Sequence, residues 1–373
     1  MEISSHDLVL ILKNAGTACN IGCKYCAEAR KRYVEPSRSG IVTMSDIDQL
    51  MKLTSTVENV TVLFHGGEPL LLPISYYDEL ISKWRKQRSD IYFGFQTNAT
   101  LINDEWLNFF EKHRDVCGIS ISLDGDEIAN SNRVSKEGKS TFQDVTRALE
   151  QLERRQLTTG MISTLTKNAL GREYELFSIV SHFSNIRFLK LNPCYDMWPD
   201  GSIPEWSILP NEYAQFVITF FDIMYKNQYL IKIDVEPILS IIKSIEGIEN
   251  SFCNFCDKKC NHFLSVYPGG KIIGCDNFSL EDGLYPDLYS KEAISDFLIE
   301  QPQPLFSQLD ALLEKCSSCG YQLICHGGCL AVRRRYTLYG LNNEAEQYCR
   351  EMQRTIKYIK NRIESVRNWH EDS

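Results

Sequence analysis

Three cysteines near the start of the chain, Cys19, Cys23 and Cys26, follow directly on an apolar, strand-like run from Val9 to Leu12. Their spacing is Cys-x3-Cys-x2-Cys. Three thiolates on one short loop can hold three irons of a cubane cluster and leave the fourth iron open to an outside ligand. A structural zinc site wants four protein ligands and a closed tetrahedron, and no fourth partner lies nearby in the sequence. The feature therefore demands a fold in which a buried strand delivers a cluster-binding loop to a site that a small molecule can enter.

At 373 residues the chain can bury a large core, enough for one big domain and a smaller one. Its net charge of −9 is spread along the sequence, which argues against a nucleic-acid partner, since phosphate binding wants a basic face. The run Arg333-Arg334-Arg335 is the one dense basic cluster, and it reads as a solvated helix face. No apolar stretch approaches the ~20 residues needed to span a bilayer. The N-terminus, with Glu2, His6 and Asp7, lacks the basic and apolar regions of a signal peptide. These features predict a cytoplasmic protein with no membrane partner. Disulfides are rare in a reducing compartment, so fourteen cysteines call for metal.

Up to about residue 192, short β-type runs alternate with amphipathic helical segments. The predicted strands are Val9–Leu12, Val60–Phe64, Tyr92–Gln96, Gly118–Ser122, Gly160–Thr164 and Ile186–Leu191. Tyr77, Leu80, Ile81 and Trp84 stand at helical spacing, as do Phe142, Val145, Leu149 and Leu152. Ser45 and Asn103 are the expected helix starts, because their side chains can accept orphan amide N–H groups. Six β-then-α units predict an α/β fold with a parallel sheet and helices outside it. Periodicity alone does not separate a barrel from a doubly wound sheet. A linker, Trp198 to Pro210, precedes a helix bearing Phe216, Phe220 and Met224. Nine of the fourteen cysteines lie from Cys253 onward. The expected organisation is a core over 1–210, a helical bridge over 211–252 and a cysteine-rich domain over 253–373, closed by a charged helix at about 343–367.

The N-terminal cysteine loop resembles that of the radical S-adenosylmethionine (SAM) superfamily. The resemblance implies a partial (β/α)6 TIM-type barrel and a [4Fe–4S] cluster whose open iron chelates SAM. Reduction of that cluster cleaves SAM to a 5′-deoxyadenosyl radical, the cofactor carrying the hard chemistry. Gly66-Gly67-Glu68-Pro69 follows the second strand, and ligand sites of such barrels collect at strand C-termini. The string resembles the family's SAM-amine motif, with glycines that admit a ligand closely and Glu68 to pair with its amine. By the same resemblance Asn98 would bond the ribose, Ser122 and Arg133 would hold the SAM carboxylate, and Tyr25 would lie against adenine. Asp124-Gly125 shapes a loop.

Farther on, the order Cys260, Gly270, Cys275, then Cys316-x2-Cys319-x5-Cys325-x3-Cys329, then Cys349 resembles the SPASM domain, which binds two auxiliary [4Fe–4S] clusters. The implied grouping gives one cluster Cys260, Cys275, Cys329 and an upstream cysteine, and the other Cys316, Cys319, Cys325 and Cys349. Both Cys253 and Cys256 are available upstream; Cys253 sits most like the family's first ligand. Cys117 and Cys194 are left as structural residues. The rival for this region is a pair of zinc sites, since Cys-x2-Cys is a common zinc spacing.

Asp276 follows Cys275 directly. In the anaerobic sulfatase-maturating enzymes, which the chain resembles in length and in both cysteine sets, an aspartate at this place acts as general base. The plainer alternative is a turn residue. Those enzymes typically carry Gln where this chain has His65, and the His form is more like maturases of ribosomally made peptides. Ala27-Glu28 departs from both groups. The expectation is a peptide-modifying oxidoreductase that abstracts hydrogen from a side chain and completes a two-electron oxidation, most readily a cross-link in a precursor peptide. An external electron donor such as flavodoxin or ferredoxin would serve it. The alternatives are formylglycine generation in a sulfatase, oxidation of a small molecule, or an electron carrier without catalysis. With the loop beginning at Cys19, no leader-binding domain is expected ahead of it.

Overall fold

The computed structural model describes residues 7–29, 40–257, 259–278, 282, 285–292, 294 and 303–371. Its first half alternates strand and helix: β1 Asp7–Leu12, α1 Met44–Leu53, β2 Asn59–Phe64, α2 Ile74–Gln87, β3 Tyr92–Thr97, α3 Asp104–Lys112 and β4 Cys117–Ser122. Then come α4 Phe142–Arg154, β5 Thr159–Leu165, α5 Glu173–His182, β6 Ile186–Pro193 and α6 Pro210–Lys226. Short β7 Asp234–Glu236 and α7 Ile238–Ile245 lead to a hairpin, β8 Phe263–Tyr267 and β9 Lys271–Ile273. Four helices close the chain: α8 Gln303–Glu314, α9 Gln322–Cys325, α10 Leu330–Leu338 and α11 Asn342–Glu371. All six expected strands form. The parallel α/β fold is the one the alternation predicts, and among the described residues no helix is long and apolar enough to cross a membrane.

The chain divides into two compact units. One comprises residues 1–122, 132–160 and 260–307. Its strands run in the order β4-β3-β2-β1-β8-β9. β1 to β4 and β8 are parallel, with Leu10 opposite Val62 and Val9 opposite Phe263, while β9 is antiparallel to β8. A parallel sheet is covered on both faces and its strands are correspondingly apolar; Leu10, Leu12, Val62, Phe64, Phe93 and Phe95 are all fully buried. The α2 stripe of Tyr77, Leu80, Ile81 and Trp84 is buried too. Tyr77, Phe95, Trp106 and Phe109 meet edge-on or tilted, with centroids 5.0–6.5 Å apart. The α3 start is Asn103, whose side chain accepts from the Trp106 N–H at 3.0 Å, as expected. The α1 start is Thr43 rather than Ser45: Thr43 and Asp46 satisfy each other's backbone amides in a capping box.

The second unit comprises 123–131, 161–259 and 308–373. Here β6 and β7 pair in parallel, Leu189 opposite Val235. Pro210 opens α6 at a position where its missing N–H costs nothing. Phe216, Val217, Phe220, Phe221 and Met224 form the buried face of that helix. α11 joins it through Tyr358 Oη to Asp222 at 2.6 Å and Arg354 to Gln215 at 2.9 Å. One expectation fails in this unit: Arg333, read as part of a solvated basic face, is 5 % exposed. On α10 it stands three residues from Leu330 and three from Tyr336, and all three share the buried side of the helix.

Candidate active site

The cysteine loop leaves β1 and is pinned where it turns. Gly22 and Lys24 donate their N–H groups to the carbonyls of Val134 and Asn132, at 2.7 and 3.0 Å, and Ile21 bridges Ser135. Cys19, Cys23 and Cys26 are all partly exposed. The Ala29 N–H donates to Cys26 Sγ at 3.3 Å. Among the described residues no three His, Cys, Asp or Glu side chains gather about one metal ion, whereas a cubane spreads its thiolate ligands over several irons. Three soft donors on one short, anchored loop fit such a cluster.

The Gly-Gly-Glu-Pro segment follows β2 and lies directly on this loop. Gly67 and Glu68 donate their N–H groups to the carbonyls of Gly16 and Ala18, at 3.1 and 2.7 Å. A Cβ on Gly67 would lie 1.8 Å from the Ala18 oxygen, and Gly66 adopts φ +140° beside Lys13. What the glycines admit at this point is the chain's own loop. Glu68, 1 % exposed, caps the turn Pro69–Leu71 and accepts from Leu70 N, Thr97 Oγ1 and Asn98 N at 2.7–3.0 Å. A carboxylate has about four acceptor positions, so about one is left to face a ligand. Burial raises the Glu68 pKa, against those hydrogen bonds and the Arg133 charge.

Asn98, at the end of β3, donates to Asn20 Oδ1 at 2.8 Å and to Cys19 Sγ at 3.7 Å. Burial pushes the Cys19 thiol up, and nearby Glu68 and Cys26 push the same way. Arg133 donates to Tyr25 Oη at 2.8 Å, fixing the tyrosine of the cysteine loop. Ser122 ends β4, half-buried. Tyr25, Gly66, Gly67, Glu68, Asn98 and Arg133 are thus linked to the cysteine loop or to each other by named contacts, while Ser122 is placed only by its strand end.

A second cluster of side chains lies in the same unit. Lys13 directly follows β1 and is wholly buried. Its Nζ reaches Asp276 Oδ2 at 2.9 Å and Glu28 Oε1 at 3.2 Å, and His65 Nε2 lies 3.2 Å from the same Asp276 oxygen. Burial works against the lysine charge, yet Asp276 and Glu28 hold its pKa above the ordinary value. The His65 pKa is lowered by desolvation and by Lys13, with 36 % of its side chain still open to solvent. The sequence singled out Asp276 and His65 but not Lys13 or Glu28. The available signal was a lysine closing an otherwise apolar strand, a place where a charge needs a partner.

In the same unit Cys260 and Cys275 are half-buried, and Asn277 donates to Cys275 Sγ at 3.7 Å. Cys260 and burial together raise the Tyr285 pKa. In the other unit burial pushes the Cys253 thiol up to about 12, and Cys329 is the next cause, ahead of Cys256. The buried Lys259 donates to the carbonyls of Asn254, Cys325 and Gly328 at 3.1–3.4 Å, tying the two cysteine loops together. Gly328 turns at φ +66° over Tyr348, whose hydroxyl accepts from Cys329 N at 2.8 Å. Burial raises the thiol pKa of Cys325 and of Cys349, and Cys316 and Cys319 push both the same way. Of the remaining thiols Cys194 is buried, its backbone bonded to Leu165, Ile208 and Ser207. Cys117, at the head of β4, is pushed to about 12 by burial.

Residues 14–168 match the model of the radical SAM superfamily. The chain is 25 % identical to a cysteine-type anaerobic sulfatase-maturating enzyme of Clostridium perfringens, over 97 % of this chain and 98 % of that protein. It is also 25 % identical to a serine-type anaerobic sulfatase-maturating enzyme of Bacteroides thetaiotaomicron, over 94 % and 90 %. The fold is similar to that of native anSMEcpe with bound AdoMet, at a TM-score of 0.80 and 23 % identity, covering 97 % of this chain and 99 % of that one.

Proposed function

From the match of residues 14–168 to the radical SAM superfamily, we propose that the chain is an enzyme of that superfamily and oxidises one residue of a peptide or protein substrate by two electrons. The finer reading is conversion of a serine side chain to an aldehyde, or of a cysteine side chain to a thioaldehyde that water hydrolyses to the aldehyde with loss of hydrogen sulfide. The abstracted hydrogen atom carries off one electron, and an auxiliary cluster would accept the second. Cys19, Cys23 and Cys26 would hold the cluster that binds SAM. Tyr25, Gly66, Gly67, Glu68, Pro69, Asn98, Ser122 and Arg133 would shape the cofactor's place beside it. When bound, the cofactor supplies abstraction of a hydrogen atom from a substrate C–H bond.

The chain's own residues carry the proton. Asp276 is the base, its Oδ2 paired with Lys13 at 2.9 Å and with His65 Nε2 at 3.2 Å. That arrangement is the single observation that carries the reading, because a carboxylate fixed by a buried cation and still 19 % exposed can accept a substrate proton. Cys316, Cys319, Cys325 and Cys349, all of one unit, would hold an auxiliary cluster. Likeness to sulfatase-maturating enzymes across nearly the whole chain favours the aldehyde over a cross-link. His65 favours the cross-linking reading, since it stands where those enzymes typically carry Gln.

The test is anaerobic turnover of the iron-loaded protein with SAM, a reductant and peptides containing one cysteine or one serine, read by mass spectrometry. An aldehyde that traps a hydrazine supports the proposal. Loss of two hydrogens with no trappable aldehyde moves the product to a cross-link, and release of no 5′-deoxyadenosine sinks the enzymatic reading altogether.

A further inference from the structure

Arg333 is a buried charge that the proposed chemistry does not use. Its guanidinium donates to Leu312 O at 2.9 Å, to Gly327 O at 3.0 Å and to Cys316 Sγ at 3.4 Å. The two carbonyls fix the planar fork, and the nitrogen bonded to Gly327 also faces the sulfur. From α11, Gln353 Nε2 donates to Cys319 Sγ at 3.3 Å. Two of the four cysteines of this group therefore each receive a hydrogen bond from a side chain. The Arg333 charge also reaches Cys349, where it opposes the upward push of burial.

A buried cation is expensive unless something negative faces it. Arg333 is bonded here to two neutral carbonyls and to one sulfur, so its burial is reasonable when that sulfur is a thiolate bound to iron. Hydrogen bonds to cluster sulfurs and nearby charge are among the levers that set cluster potentials. Both stabilise the reduced form, which carries one more negative charge than the oxidised form.

We propose that Arg333, together with Gln353, is a positioning residue that raises the reduction potential of a [4Fe–4S] cluster held by Cys316, Cys319, Cys325 and Cys349. The inference rests on the reading that these four cysteines hold a cluster. The couple concerned is the gain of one electron by the oxidised cluster, supplied in the test by dithionite.

The full chain, loaded with iron and sulfide under anaerobic conditions, is titrated with dithionite through redox mediators and followed by electron paramagnetic resonance. A Cys319→Ala, Cys325→Ala variant identifies the signal of this cluster. If that variant loses neither iron nor a signal, the four-cysteine reading fails, and the inference with it. With the signal assigned, Arg333→Met is expected to lower its midpoint by a tenfold shift in the one-electron equilibrium, about 59 mV, with the other signals unmoved. Gln353→Leu is expected to lower it by less, and Arg333→Lys to restore part of the loss. Should Arg333→Met fail to retain iron, Gln353→Leu and Arg333→Lys decide the matter. Midpoints equal to the parent's in iron-replete variants overturn the inference.

Discussion

Lys13 is the residue on which the proposed base depends. It is fully buried and binds two carboxylates. Removing one partner of a buried charge network leaves the others uncompensated, which costs about 3–5 kcal/mol. Lys13→Met is therefore expected to lower unfolding stability by that amount in urea titrations. A loss below about 1 kcal/mol, the range of surface ion pairs, would show that Asp276 and Glu28 do not need it. Gly67 makes a sharper geometric claim. Its missing Cβ would sit 1.8 Å from a backbone oxygen, so Gly67→Ala must push the cysteine loop away from the end of β2. A cost of about 1–3 kcal/mol is expected from such overpacking, together with reduced iron uptake. Gly320→Ala is the control, since nothing lies within 4 Å of its Cβ position.

At the scale of elements, the helix starts show how a sequence signal is read correctly at one end and displaced at another. Asn103 was legible because it directly precedes an acidic first turn, Asp104-Glu105, that suits a helix start. At α1, Thr43 and Ser45 both precede apolar spacing and each has an acid three residues later, Asp46 and Asp48, so the sequence does not choose between them. In the fold Asp46 answers Thr43, while Asp48 pairs with Lys83. Thr43→Ala should cost about 0.5–2 kcal/mol by thermal or urea unfolding, and Ser45→Ala within about 0.5 kcal/mol. The reverse order would return the cap to Ser45. The α2 stripe has a second duty at its polar end. Tyr77 donates its hydroxyl to Pro69 O at 2.6 Å and accepts from Asn14, so one buried phenol holds the turn after Glu68 to the end of β1. Tyr77→Phe takes this partner from the buried Asn14 amide and leaves Pro69 O with the Leu72 N–H alone, and a loss of about 1–3 kcal/mol is expected in unfolding measurements. A change near zero would mean that water replaces the hydroxyl.

Across the whole molecule, what was legible depended on the reach of the signal. The six strands of the first half carry apolar runs long enough to be read singly. The β8-β9 hairpin escaped because its strands are short and its region is dominated by cysteines, yet Phe263–Tyr267 pairs directly with β1. That return of the chain brings Asp276 to Lys13 across a separation of 263 residues, a meeting that no local pattern encodes. The Arg333 run was misread because charge composition was weighed without helix phase. The cysteines were the most legible feature of all, because their chemistry constrains their spacing. A final expectation belongs at this scale. Thiols whose pKa is raised by burial, as at Cys19, Cys325 and Cys349, are poor bare thiolates, and iron must displace their protons to bind. Metal affinity is then part of folding free energy, because the unfolded chain offers no preformed site. A ligand that binds only the folded state stabilises it by mass action. Stripping iron with a chelator is expected to lower the unfolding midpoint, by about 2–4 °C for each kcal/mol of binding energy lost, and anaerobic reconstitution should restore it. The fall should be smaller at acidic pH, where protons compete with iron for the same sulfurs and bound iron contributes less. Equal unfolding midpoints for the iron-free and iron-loaded chains would mean that the cysteines contribute nothing to holding the fold.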